Sequence, residues 1–238
     1  MDNACLQRFL SARNKNQEKA YQMLKSCLEW RRHFRIEQLL LNYNQGLTHP
    51  NTTYETIKNE GETGKIIVLH QMTKNNQAVL LLRPGFENSS NSENQIKFLV
   101  WSLEKASLHS KWIVIVDYQK YSFRNAVSIN TAKETVHILQ NCYPERLEKA
   151  FLIQPPSLFW MAWKVVKFFV DKVTKDKLCF VERKDVGKGE EWGKYFDMTV
   201  LPKGYGGAGE WEWDNNKYFE EAVRPEYLLK KTAENGAA

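Results

Sequence analysis

The sequence lacks the features that mark membrane-spanning, secreted or metal-dependent proteins. No apolar run approaches the roughly 20 residues needed to cross a bilayer, and the start, MDNACLQ, lacks the basic and apolar regions of a signal peptide. The cysteines show no C-x-x-C spacing and no histidine placed to complete a zinc site, so they predict free thiols in a reducing compartment: Cys5, Cys27, Cys142 and Cys179. We therefore expect a cytoplasmic protein without a metal.

Catalytic signatures are also missing. The sequence contains no G-x-S-x-G elbow, Walker loop or H-E-x-x-H motif, and its five histidines are scattered. Residues 204–209 fit G-x-G-x-x-G, but a dinucleotide fingerprint needs a strand before it and a helix after it, and the chain ends soon after this segment. We therefore expect a binding protein rather than an enzyme, and no cofactor.

Charge of one sign is in only slight excess. The formal net charge is +6, and no block of five or six like charges occurs. A nucleic-acid-binding protein would need a basic stripe or a recognisable module, and neither is present. We therefore expect no nucleic acid partner. The slight excess of positive charge suits transient contact with an anionic membrane surface.

The periodicity of apolar residues predicts the α/β class. Residues 6–30 have a helical period, with Asn16 as an N-cap and Arg13 in the break between two short helices, and residues 42–64 form a connector with room for one short helix. From residue 66 the chain alternates strands with helices, after a hairpin whose turn is Lys74-Asn75-Asn76-Gln77. The expected strands are 66–72, 78–83, 112–116, 151–154 and 178–181; the expected helices are 93–109, 127–141 and 156–170.

This alternation predicts a mixed, mostly parallel sheet flanked by helices, with an antiparallel edge from the hairpin. Residues 183–198 are interpreted as a loop. We expect three parts: an N-terminal helical lobe at 1–45, the sheet domain at 46–210 and a C-terminal tail at 211–238.

The segment 141–181 carries the strongest functional signal. Its helix, opened by Pro155-Pro156, is apolar and aromatic around nearly its whole circumference yet carries Lys164 and Lys167. Composition alone ranks a core helix ahead of a movable apolar wall. Glu145, Thr174 and Lys177 flank this helix and have the chemistry to hold a phosphorylated polyol, although ordinary surface roles rank first for them on composition.

Several motifs in combination resemble the CRAL-TRIO lipid-binding domain of phosphatidylinositol/phosphatidylcholine transfer proteins. They are L-Q-R-F-L-S-A-R (6–13), C-L-E-W-R (27–31), R-P-G-F (83–86), I-V-D (115–117), N-C-Y-P-E-R-L (141–147), K-F-F-V-D-K-V-T (167–174) and L-P-K-G-Y-G-G (201–207). The resemblance implies the CRAL-TRIO fold, in which the aromatic helix is the gate of a lipid cavity and opens on a membrane. The gate and membrane-contact residues would be Phe159, Trp160, Trp163, Lys164, Lys167 and Phe168.

The resemblance also implies two ligand sites. The phosphatidylinositol headgroup site falls on Arg13, Glu145, Thr174 and Lys177, while Asn14 replaces a lysine common in the family. The positions of the phosphatidylcholine site fall on apolar residues, which are expected to line the cavity instead: Leu69, Leu80, Leu103, Trp112 and Val114. A choline phosphate there would leave buried polar groups unpaired at about 1–3 kcal/mol each, so the second ligand is expected to be less polar.

The sequence thus predicts a monomeric phosphatidylinositol-binding and transfer protein, peripherally associated with membranes. Two alternatives stay open: a lipid-sensing scaffold that does not transfer its ligand, and a carrier of a small apolar molecule such as a terpenoid or sterol-like compound.

Overall fold

The N-terminal part of the chain is helical. The computed structural model describes residues 2–46, 49, 51–69, 73–210 and 212–221. The predicted cap is confirmed, because the Asn16 side chain accepts a hydrogen bond from the backbone of Lys19 at 2.9 Å. The connector at 42–64 holds more helix than expected, since one helix runs into it and another lies within it. The helices are α1 (Asn3–Ser11), α2 (Gln17–Phe34), α3 (Ile36–Gly46) and α4 (Thr52–Gly61).

Five strands form one sheet in the order of the sequence: β1 (Ile66–Leu69), β2 (Ala78–Leu82), β3 (Trp112–Asp117), β4 (Leu147–Ile153) and β5 (Leu178–Val181). β1 pairs with β2 in antiparallel register and the other neighbours pair in parallel, which confirms the predicted mixed sheet. In the hairpin, Asn76 takes a left-handed φ of 51°. The end of the predicted first strand, residues 70–72, lies outside the described residues.

The remaining helices connect the strands and follow the sheet: α5 (Ser92–Ala106), α6 (Ile129–Cys142), α7 (Ser157–Val166), α8 (Lys172–Asp176), α9 (Glu190–Tyr195) and α10 (Asn215–Glu221). The interpretation of residues 183–198 as a loop is wrong for α9. Trp192 and Tyr195 on this helix are buried against the sheet, whereas the many charged residues around them in the sequence indicated an exposed segment. The helix predicted at 156–170 is shorter, ending at Val166. Of the expected tail, residues 222–238 and Trp211 lie outside the described residues.

Both faces of the sheet are covered by apolar side chains. Alternate residues such as Val68, Leu80 and Trp112 pack with the helical lobe, α5 and α6. The residues between them, such as Ile67 and Leu81, pack with α9 and the segment that follows it. Burial on both faces explains why β2 and β3 are nearly continuous apolar runs.

A charge network joins the helical lobe to the sheet domain. Arg31 on α2 donates to both carboxylate oxygens of Glu104 on α5, at 2.8 and 3.2 Å, and the Tyr143 hydroxyl donates to the same carboxylate at 2.7 Å. Burial disfavours the charge of Arg31, but the hydrogen bonds and charge of Glu104 outweigh it and raise the pKa of Arg31. Burial also raises the pKa of Tyr143 well above its usual range. This network fixes the turn between α6 and β4.

Candidate functional site

The turn between α1 and α2 presents Arg13. Asn14 and Lys15 both take left-handed φ values, 51° and 62°, which reverse the chain directly after Arg13. The half-buried Arg13 guanidinium donates to Asn141 Oδ1 at 3.4 Å and to the carbonyl of Ala12 at 3.0 Å. The turn therefore places a cation against the last turn of α6.

The turn after α6 presents Glu145 to Lys177. Glu145 has a φ of 57°, a conformation uncommon for a residue with a side chain and found often at functional sites. Its carboxylate lies 4.0 Å from Lys177 Nζ, and that ammonium also donates to the carbonyl of Leu147 at 2.7 Å. Side-chain exposure is 29% for Glu145 and 23% for Lys177, so this pair is held at a partly desolvated surface.

Thr174 lies on α8, three residues before Lys177, and its hydroxyl is already engaged. The N-cap residue Asp171 accepts from the Thr174 hydroxyl at 2.7 Å and from its backbone N–H at 2.8 Å. Gln140 on α6 ties this segment down, accepting from the backbone of Asp171 at 3.0 Å and donating to the carbonyl of Phe169 at 2.9 Å. A ligand using the Thr174 hydroxyl would compete with Asp171.

The structure thus brings Glu145 and Lys177 together. It places Arg13 at the end of α6, shortly before Glu145 in the chain, and Thr174 in α8, shortly before Lys177. Three supporting residues were not predicted: Asn141, Gln140 and Asp171. The D-x-x-T pattern of an N-cap could have indicated Asp171. The roles of Asn141 and Gln140 depend on contacts between distant segments, which the sequence does not reveal.

The aromatic helix α7 borders this region and buries none of its residues. Phe159 contacts Tyr118 at 5.1 Å and stacks with Trp163 at 5.7 Å, and the Trp160 ring lies 4.9 Å from Phe180 of β5. Large apolar side chains of the helix and of the turn after it are exposed, Trp160 among them: Met161, Val165, Phe168 and Phe169 are the others. Lys164 and Lys167 are exposed among them. The helix therefore presents an amphipathic surface outward.

The sheet face towards α7 is less tightly packed than the other face. On the central strand β3, Val114 and Val116 are half-buried, whereas Ile113 and Ile115, which point to the opposite face, are at most 1% exposed. A groove of about 690 Å³ opens between α7 and the end of β5 and is lined by residues that include Pro155, Trp160, Phe180 and Arg183. The lining of this groove combines these apolar side chains with charged ones that also include Glu182 and Lys184.

The five residues expected to line the cavity do not share one environment. Leu80, Leu103 and Trp112 are at most 2% exposed and belong to the core, while Val114 is half-buried beside it. Leu69 lies on the opposite face of the sheet, packed in the cluster of Ile67 and Leu81, because side chains alternate along a strand. The structure therefore does not bring Leu69 together with the other four.

Comparison with known proteins gives the family. The sequence profile of the CRAL/TRIO domain matches residues 62–207, more than half of the chain. The chain is 30% identical over 224 residues, 92% of its length, to a CRAL-TRIO domain-containing protein of Schizosaccharomyces pombe. The structure resembles the crystal structure of Sfh5 with a TM-score of 0.65 at 20% identity, over 98% of this chain and 81% of Sfh5. The chain belongs to the CRAL/TRIO domain family, and the fold expected from the motifs is confirmed.

Another relative carries a functional name. Phosphatidylinositol transfer protein PDR17 of Saccharomyces cerevisiae is 26% identical over 239 residues, 94% of this chain. The chain spans 20% of the Schizosaccharomyces pombe relative and 63% of PDR17.

Within the described ranges, no helix is both long and apolar enough to span a membrane, and no group of three or more His, Cys, Asp or Glu side chains is placed to hold a metal ion.

Proposed function

We propose that this chain binds phosphatidylinositol and exchanges it with membranes through movement of α7. The observation that carries the proposal is the partly buried Glu145 and Lys177 pair, with Arg13 at the neighbouring end of α6 and an outward-facing aromatic helix beside them. Membership of the CRAL/TRIO domain family and similarity to a protein named as a phosphatidylinositol transfer protein support it.

The chemistry of the headgroup suits these residues. A phosphodiester is a single anion that two cations, Arg13 and Lys177, would neutralise through charge-assisted hydrogen bonds. The Glu145 carboxylate would accept hydrogen bonds from ring hydroxyls, and Thr174 would donate to a phosphate oxygen once released from Asp171. The acyl chains would lie on the half-buried sheet face below α7.

Exchange would take place at an anionic bilayer on the cytoplasmic side. The exposed apolar side chains at the end of α7, Phe168 above all at 79% exposure, would enter the interface. Lys164, Lys167 and Lys172, all exposed, would favour anionic lipids at about 1 kcal/mol each.

The first test is lipid analysis of the purified chain by native mass spectrometry. After incubation with vesicles of phosphatidylinositol, phosphatidylcholine and sterol, we expect one phosphatidylinositol per chain. The Arg13→Ala/Lys177→Ala double variant should lower occupancy at least tenfold, because each charge-assisted hydrogen bond contributes about 1.5–3 kcal/mol.

The matched control is Lys15→Ala/Lys175→Ala, which removes the same charge from exposed lysines two residues from each site residue and should retain the lipid. An apolar passenger alone, or equal occupancy in both double variants, would contradict the headgroup assignment. Transfer between vesicles should slow in Phe168→Ala while occupancy stays unchanged, and a chain that binds lipid but never transfers it would be a scaffold instead.

A further inference from the structure

The loop between β3 and α6 displays an apolar side chain that the gate does not account for. Phe123 is 77% exposed, nearly as much as Phe168 at the end of α7. Val127 and Ile129, which follow it, are also among the exposed large apolar residues. These three exposed apolar side chains lie within seven residues of one another, and grouped apolar exposure of this kind is typical of a binding surface.

This loop is held rigidly. Phe123 begins a short 3-10 turn (Phe123–Asn125) closed by a reciprocal cap, in which the Ser122 backbone N–H donates to Asn125 Oδ1 at 2.7 Å. The Asn125 amide also donates to the carbonyls of Gly85 and Lys120, at 2.8 and 3.1 Å. The exposure of Phe123 is thus fixed by hydrogen bonds and does not come from a loose loop.

The segments before and after this loop contact the two ends of α7. Before the loop, Tyr118 contacts Phe159 in the first turn of α7. After it, Lys133 of α6 lies 4.9 Å over the ring of Phe169, just past the last turn of α7. Ile129 lies one helical turn before Lys133 on α6, which places it on the same side of that helix. The loop therefore connects two segments that pack against α7, and Ile129 lies on the side of α6 that makes the Phe169 contact.

Basic residues precede and follow Phe123 in the sequence. Arg124 is exposed beside it, and Lys120 Nζ lies 4.9 Å over the ring of Phe86. Cations around an exposed aromatic side chain complement the phosphates and acyl region of an anionic bilayer, whereas an apolar protein groove would not require them.

We propose that residues 120–129 form a second membrane anchor, in which Phe123 enters the bilayer and Lys120 and Arg124 contact lipid phosphates. This second proposal rests on the proposed exchange function and gives α7 and the loop different roles. α7, which has no fully buried residue, would swing, while the hydrogen-bonded loop would stay on the membrane and keep the chain oriented there.

The test is co-sedimentation of the full chain with vesicles of phosphatidylcholine, phosphatidylserine and phosphatidylinositol. We expect Phe123→Ala to weaken vesicle binding about tenfold, since loss of one buried Phe side chain corresponds to roughly that factor. Phe123→Trp should retain binding. Tyr21→Ala, which removes another aromatic side chain that is 60% exposed, on α2, should bind like the unmodified chain.

Lipid occupancy separates this proposal from the proposed function. Phe123→Ala should carry as much phosphatidylinositol as the unmodified chain by native mass spectrometry, because Phe123 does not belong to the headgroup site. If Phe123→Ala sediments normally while Phe168→Ala does not, the result contradicts the second anchor and supports membrane contact by α7. If the unmodified chain neither sediments nor carries phosphatidylinositol, both proposals fall.

Discussion

At the scale of single residues, buried charges hold the region of the candidate site in place. Glu104 is 7% exposed at its side chain, and it is held by partners from distant parts of the chain that include Arg31 on α2 and Tyr143 at the end of α6. A buried carboxylate is tolerated only while its hydrogen bonds and counter-charge are present. The turn carrying Glu145 follows Tyr143 directly, so this network also orients the candidate site.

Arg31→Met should therefore lower the free energy of unfolding by about 3–5 kcal/mol, because the Glu104 carboxylate would lose its counter-charge in a buried position. Urea unfolding measures the change. Lys97→Met is the matched control, since Lys97 forms an ion pair with Glu93 at 2.6 Å on the exposed side of α5. That substitution should change stability by less than about 1 kcal/mol. Equal losses in the two variants would contradict the role given to burial.

Residue types and spacing were enough to predict the cap at Asn16, the position of Arg13 in a helix break and the left-handed turn residue Asn76. They did not predict the face of the sheet on which Leu69 lies, because a one-residue difference in position along the strand moves a side chain to the other face. Nor did they reveal that Gln140 accepts from the backbone of Asp171 or that Arg13 meets Asn141. Those contacts depend on where α1, α6 and α8 meet in space.

At the scale of elements, the loop after β3 is supported by a short 3-10 turn, Pro84–Phe86, that follows β2. A Cβ atom on Gly85 would lie 1.9 Å from the carbonyl oxygen of Gln119 and 2.7 Å from the backbone of Lys120 and Tyr121. Only glycine allows this approach of two backbones, and the same segment accepts the Asn125 hydrogen bond. The R-P-G-F motif therefore has a packing reason for its glycine.

Gly85→Ala should push this loop away and cost about 1–3 kcal/mol of unfolding free energy, as overpacking against rigid backbone does. Hydrogen exchange should rise at residues 119–125. Gly204→Ala offers a control, because nothing lies within 4 Å of a Cβ added there. The explanation fails if Gly85→Ala leaves both stability and exchange in the loop unchanged.

At the scale of the whole molecule, the core extends beyond the region that matches the family profile. One cluster includes Phe9 of α1, Trp101 of α5, Trp112 of β3 and Phe219 of α10. Two of these four residues lie outside 62–207. The helical lobe, the sheet and α10 thus share one hydrophobic core, and cooperative unfolding of all three is expected.

Phe219 provides the test of that shared core. Its ring is 2% exposed and packs on Trp101 at 5.5 Å and Tyr43 at 6.3 Å, far along the chain from both. Phe219→Ala should lower the free energy of unfolding by about 3–5 kcal/mol, because the cavity would open between α10, the helical lobe and α5.

Urea unfolding followed by fluorescence and by circular dichroism should shift to lower denaturant with coincident midpoints, since tryptophans and helices are spread over all three parts. Phe123→Ala, which removes an equal but exposed side chain, should stay within about 0.5 kcal/mol of the unmodified chain. Separate midpoints for the two signals would instead show that α10 and the helical lobe unfold apart from the sheet, so that Arg13 and the pair of Glu145 and Lys177 would belong to independently stable parts.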